Sequence, residues 1–217
     1  MKYFGLAKFY YRSLTTRLKY IQWVSVLSLI GLGYTFCLLQ KTTQLLLIVL
    51  GLITFLYAIP LGIKTPKNVR SIGGVKIYII AIVWALTSVV LPLLEAQESF
   101  TLDHYLMLLQ RIFLVVVLML PFEIRDLEID ELHLSTIPQK LGIKSTKIIG
   151  YALLGDSILM EIFKDQFSPN RFLVLIFYVA LLALMLAKSK KDQSRYYTAF
   201  WVESLPVFTL LLVVFFQ

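Results

Sequence analysis

The sequence predicts an all-α polytopic membrane protein, a helical bundle with about seven transmembrane helices in a single membrane domain spanning residues 1–217. Three observations predict it. Of the 217 residues, 59% are hydrophobic and only 16% charged, whereas an average soluble domain is nearer half apolar and one quarter charged. The apolar residues gather into runs close to the roughly 20 residues that cross a hydrocarbon core. Lysine and arginine fall between those runs in an alternating pattern, as they do in membrane proteins of fixed orientation. Together these exclude a disordered chain, a disulfide scaffold and a typical water-soluble enzyme.

In chain order the runs are Tyr20–Leu39, Gln44–Leu61, Val75–Leu94, Tyr105–Phe122, Ile148–Phe163, Phe172–Ala187 and Phe200–Phe216. Residues 1–19 form a basic N-terminal segment. The run that follows is too long for a signal-peptide core, so it reads as an uncleaved first span. The fifth run is short and carries Asp156 and Glu161; an interfacial or re-entrant piece competes with a span there. With the N-terminus cytoplasmic, the inside segments hold seventeen of the 21 basic residues: Lys2, Lys8, Arg12, Arg17, Lys19, Lys64, Lys67, Arg70, Lys76, Arg125, Lys140, Lys144, Lys147, Lys188, Lys190, Lys191 and Arg195. Outside lie Lys41, Lys164 and Arg171, and Arg111 falls within a span. Every connection obeys the alternation, which places the C-terminus outside. The net charge of +8 is therefore mainly a topology signal, with lysines facing anionic lipid. Dispersed basic loops with no soluble domain argue against a nucleic-acid partner; the expected partner is the lipid bilayer.

The single cysteine, Cys37, lies in the first span and permits no disulfide framework. Phe36 before it is too bulky for a lipoprotein cleavage site. His104 and His133 fall on opposite sides of the membrane. Arg111 and Asp156 sit in spans four and five, an antiparallel hairpin. At 1.5 Å per residue they reach similar depth. An unpaired charge at mid-membrane costs at least about 2.5–3.5 kcal/mol, so they are expected to pair or to face a wet cavity. Glu203 lies near the inside end of span seven, within reach of the interface.

The inside connections are the chemically rich ones. Between spans two and three, Pro60 and Pro66 stop helix propagation, and Gly73-Gly74 lets the backbone turn back into the bilayer. Lys64, Lys67, Arg70 and free backbone N–H groups there form either an anion cradle or a strip of cations lying on lipid head groups. Between spans four and five, residues 123–147 form a cytoplasmic acidic segment. If helical, Glu123, Asp126, Asp130 and His133 fall at i, i+3, i+7 and i+10, on one face. Carboxylates so close repel one another unless a cation shares them. Hard oxygens of this kind suit Mg²⁺, which takes one or two carboxylates together with substrate phosphates. The competing reading is an amphipathic surface helix with Leu127, Leu134 and Ile137 toward the membrane.

The segment also resembles the second acidic motif of the UbiA-type intramembrane prenyltransferase superfamily. That motif has an acid, an arginine-aspartate pair, a second aspartate four positions on, a threonine-hydrophobe-proline and a leucine-glycine. Here they read Glu123, Arg125-Asp126, Asp130, Thr136-Ile137-Pro138 and Leu141-Gly142. Tyr57-Ala58-Ile59-Pro60 followed by Lys64 is similar to that family's entry to a cytoplasmic loop. The family fold has nine helices around a central cavity, with aspartate motifs after helices two and six. In this chain the acidic motif follows span four of seven, so both counts agree if the first two helices are missing, giving a UbiA-like fold short of the usual nine. Arg12-Ser13-Leu14 then looks like the arginine-proline-leucine that follows the first motif. The departures are specific. No Asp or Glu precedes Glu95, so the first aspartate motif is absent, and the family's glycine after the second aspartate is replaced near Leu134.

The resemblance implies transfer of a prenyl group from an isoprenyl diphosphate to a lipophilic or aromatic acceptor. Asp126 and Asp130 would hold Mg²⁺ with Glu123 assisting, as the catalytic acids. Arg125, Lys64, Lys67 and Arg70 would contact the diphosphate, with Lys140 a lesser candidate. Tyr57 would face the allylic cation, or would be an interfacial belt residue. The family and the compact loops imply the bacterial cytoplasmic membrane. The missing first motif leaves two alternatives, a non-catalytic protein of the same fold that binds lipid or a partner, and a small transporter. Against the transporter, the acids cluster on a loop rather than at the midplane.

Overall fold

The structure, a computed structural model, describes residues 2–58, 74–128, 136–194 and 196–216. Among these residues there are helices and their connections and no strand. Contacts divide the chain into two compact units, Met1–Leu45 and Leu46–Gln217.

The first unit is dominated by α1 (Lys2–Leu38), 37 residues or about 55 Å long. Its apolar stretch Leu18–Leu38 has no buried residue. Trp23, Leu27 and Leu32 are each about two-thirds exposed. An apolar stretch with no buried residue is what hydrocarbon tolerates and water does not. The chain then turns into α2 (Lys41–Ala58). The Gln44 amide closes that turn, donating to the Phe36 carbonyl at 2.8 Å and to the Leu39 carbonyl at 3.0 Å. Both belong to the carbonyls that a helix C-terminus leaves without partners.

The second unit is built around α5 (Leu102–Arg125), which packs on α3 (Val75–Ala85), α6 (Ile137–Ile162) and α7 (Pro169–Lys188). Its shared core takes Ile77 and Ala81 from α3, Val117, Leu120 and Ile124 from α5, Leu154 from α6, and Leu182 and Leu186 from α7. The α3 helix continues through a π turn (Leu86–Val90) into α4 (Leu91–Ala96). Another π turn (Tyr197–Val202) leads into α8 (Glu203–Phe216). Both π turns precede a proline, Pro92 and Pro206. Proline cannot donate to the carbonyl four residues back and its ring crowds that carbonyl. Widening the turn by one residue is one way a helix absorbs the conflict.

Among the described residues five stretches are long and apolar enough to cross a membrane: Leu18–Leu38, Lys41–Ala58, Val75–Ala96, Leu102–Arg125 and Pro169–Lys188. They mark a membrane protein. The other two expected spans are helical but fall short of that standard. The α6 helix is long, yet it carries Lys140, Lys144, Lys147, Asp156 and Glu161. The α8 helix has only 14 residues beyond its π turn. Within α6, Gly142 has φ 77° and ψ 162°, a conformation open essentially to glycine alone. The helix is thus a short piece, 137–141, bent into a longer one, 143–162.

Small residues and polar ties hold this bundle, as expected where lipid removes any hydrophobic gain from helix association. Gly150 lets α6 approach so closely that a Cβ there would overlap Leu186 and lie 2.9 Å from Leu120. Lys147 donates to the Ala187 and Ser189 carbonyls at 2.7 and 2.9 Å, tying α6 to the end of α7. The Asp103 carboxylate accepts from the Asp165 and Gln166 amides at 2.8 and 3.0 Å, fastening the α6–α7 loop to the start of α5.

The expected α5–α6 hairpin is present, but Arg111 and Asp156 are not an ion pair. Both are exposed, and the polar link between the helices lies elsewhere. Gln110 donates to the Ser157 carbonyl at 2.8 Å and to Glu161 Oε2 at 3.1 Å, while Lys164 donates to Gln110 Oε1 at 3.2 Å and pairs with Glu161. Equal depth was not enough to make the first pair. Asp156 immediately precedes Ser157, and it is Ser157 that faces α5, with its residue fully buried.

Candidate functional site

The acidic segment begins as α5 ends. Regular helix stops at Arg125, and Asp126–Glu128 form a single 3-10 turn. Of the one-face spacing expected from Glu123 through His133, the α-helical part seen among the described residues ends at Arg125, and Asp130 and His133 lie outside those residues. The end of α5 is held from outside the helix. Pro121 withholds one helical donor, and the last carbonyls need partners from outside. Gln193, from the α7–α8 connection, donates to the Pro121 carbonyl at 2.7 Å.

Arg125 organises this end of the bundle. Its Nε donates to Asp126 Oδ1 at 2.6 Å and its Nη2 to Asp126 Oδ2 at 3.0 Å, a bidentate fork. Its Nη1 donates to Thr198 Oγ1 at 2.5 Å. Thr198 is fully buried in the π turn before α8. The guanidinium lies 5.6 Å from the Phe122 ring centroid, within cation–π range. Beside Thr198, Tyr197 donates to the Met185 carbonyl at 2.5 Å. Burial pushes that phenol above its ordinary value, which keeps it a donor. Arg125 and Asp126 each keep 21% of their side-chain surface exposed, whereas Glu123 is 1% exposed.

Phe122 also lines an apolar cavity of about 510 Å³ with Ile80, Trp84, Leu118 and Met119, with Glu203 and Pro206 at its α8 side. The same ring thus touches a hydrocarbon-lined chamber and the cation that holds Asp126.

The remaining expected residues fall as follows. Tyr57 stands in the last turn of α2, half-buried. Lys64, Lys67, Arg70 and Asp130 lie outside the described residues, as does His133. Lys140 is exposed in the first turns of α6. The threonine-hydrophobe-proline and leucine-glycine elements each have a backbone role. Thr136 is the residue capping α6, its N–H donating to Gln139 Oε1 at 3.0 Å. Pro138 sits in the first turn, where proline is tolerated. Gly142 makes the bend.

Among the described residues no three His, Cys, Asp or Glu side chains gather as a metal group. The donor set of Glu123 and Asp126 is hard oxygen, suited to Mg²⁺. Asp126 fits as a ligand, since each of its oxygens keeps a lone pair beyond the one facing Arg125. Glu123 is enclosed, so an ion arriving from outside meets Asp126 first.

Thr198, Gln193 and Phe122 are parts of this site that sequence reasoning missed. Thr198 and Gln193 are more than 70 residues from their partners and stand in no motif. Phe122 reads as ordinary core. Comparison with protein-family models, with curated proteins and with solved structures finds no match to this chain.

Proposed function

We propose that this chain is a divergent UbiA-like integral membrane protein that takes an isoprenyl diphosphate at the Arg125 end and transfers its prenyl group to a lipophilic or aromatic acceptor. One observation carries the reading: Phe122 joins an apolar cavity to a partly exposed arginine–aspartate head. That juxtaposition suits a ligand with a charged head and a long apolar tail. In this reading α6 and α8 complete seven spans, the N-terminus and the acidic segment are cytoplasmic, and the membrane is a bacterial cytoplasmic one.

Asp126, with Asp130, would hold Mg²⁺, which when bound neutralises charge on the departing diphosphate. Arg125 orients the Asp126 carboxylate and, with Lys64, Lys67 and Arg70, offers cations to the phosphate oxygens. The apolar cavity shelters the prenyl chain, and Phe122 offers its ring face near the head. A binding-only protein of the same fold is the second reading, favoured by the lack of any acid before Glu95.

The test is binding of geranylgeranyl diphosphate to the detergent-purified protein, with and without Mg²⁺, beside Asp126→Asn. Hydrogen bonds to charged groups are worth about 1.5–3 kcal/mol, so the variant should bind about tenfold to a hundredfold more weakly. Equal affinity in both proteins, or no dependence on Mg²⁺, refutes the reading. Metal-dependent binding without turnover on any acceptor selects the binding-only protein.

A further inference from the structure

At the end of the bundle opposite Arg125 lies a cavity of about 370 Å³ that the acidic segment does not touch. It is bounded by the first half of α5, the end of α6, the first half of α7 and α8 from Pro206 to Val213. Arg111, Arg171 and Lys164 line it, with Glu161 as its one carboxylate. Lys164 and Glu161 neutralise each other, and Gln110 bonds to both. Neither Arg111 nor Arg171 is paired with a carboxylate among the described residues. The cavity therefore carries two uncompensated guanidinium groups. The rest of its wall is hydrocarbon, including Leu114, Val174, Leu175 and Leu210.

The depth of Arg111 matters. It is the tenth residue of the α5 span, about 14 Å along the helix from its start. A cation at such depth is costly in lipid and marks an ion or substrate site unless a partner is found. The buried ion pair next to it is already satisfied, so no carboxylate among the described residues is its partner. Guanidinium groups bind phosphate and carboxylate through forked hydrogen bonds, and a neighbouring apolar wall selects a ligand that brings its own hydrocarbon.

We infer that this cavity binds an amphiphile with a single anionic headgroup, the headgroup lying between Arg111 and Arg171 and the alkyl chain lying on the α7 and α8 wall. The ligand chemistry is that of an anionic phospholipid. A free phosphate shares only the headgroup.

The test uses the whole protein purified in an uncharged detergent. Bound lipid is counted by native mass spectrometry, and the unfolding temperature is followed. The three additions are phosphatidylglycerol, phosphatidylcholine of the same chains, and inorganic phosphate at equal concentration. Phosphatidylglycerol should be retained and should raise the unfolding temperature, while the other two do markedly less. Arg111→Gln with Arg171→Gln should lower phosphatidylglycerol retention about tenfold or more, and Lys188→Gln, at the far end of α7, should not. Equal effects of the two lipids overturn the inference. So does inorganic phosphate matching phosphatidylglycerol, since the tail then contributes nothing. A double variant that keeps the lipid preference also overturns it. If that variant fails to fold, the comparison of the three additions on the unmodified protein still decides.

Discussion

Lys164→Met is the sharpest test of how α5 and α6 are held together. The Lys164 and Glu161 side chains are each 7% exposed, and Gln110 is 6% exposed. Removing the lysine leaves Glu161 enclosed with only the Gln110 amide donating to it, at 3.1 Å. Breaking a buried pair by deleting one partner costs about 3–5 kcal/mol, because the surviving charge is stranded. An exposed pair would cost about 0–1 kcal/mol. For a chain of this length 1 kcal/mol moves the melting temperature by about 2–4 °C, so the expected loss is about 6–20 °C. Glu161→Gln combined with Lys164→Met removes both charges, keeps an amide for Gln110, and should recover a large part of that loss. Thermal unfolding in a single detergent, run as a double-mutant cycle, reads the coupling directly. A Lys164→Met protein within about 1 kcal/mol of the parent, or single-site effects that simply add, would show that the lysine is solvated and that no buried pair holds α5 to α6.

Two glycines carry further expectations that the same unfolding assay checks. Gly142→Ala meets no neighbouring atom within 4 Å, so its whole cost is the backbone at φ 77°, about 1–3 kcal/mol; no loss would mean the bend at the start of α6 is not required. Gly150→Val forces side-chain atoms into Leu186 and Leu120, both fully buried, and should cost about 1–3 kcal/mol through overpacking. Gly155→Ala, with open space around it, is the control and should be neutral or slightly stabilising.

The helical membrane character was legible because it rests on local quantities, the length and apolarity of Leu18–Leu38 or Pro169–Lys188. Boundaries set by neighbours were not. Depth counted along two helices sets Arg111 level with Asp156, but rotation about the helix axis decides which side chains meet, and it is the next residue, Ser157, that faces α5. The end of α5 was equally hidden. An i, i+3, i+7 pattern assumes that helix continues, whereas Gln193 and Thr198, both from the far end of the chain, engage the last turn and its arginine. Within the acidic motif, Thr136, Pro138 and Gly142 each have a sufficient backbone reason to be where they are.

That separation bears on the basic residues as well. In the orientation expected from the loops, four cations escape the positive-inside rule: Lys41, Arg111, Lys164 and Arg171. The rule reflects insertion and says nothing of why an exception is kept. Three of the four line one cavity, although they come from mid-α5, from the loop after α6 and from the first turn of α7. Charge scattered by chance over the outer segments has no reason to converge. Lys164 is accounted for by Glu161; Arg111 and Arg171 are not accounted for by any carboxylate among the described residues. A purely structural role predicts that neutralising those two changes stability by the same amount in every lipid. A ligand-binding role predicts that the loss appears only where an anionic amphiphile is present to be lost.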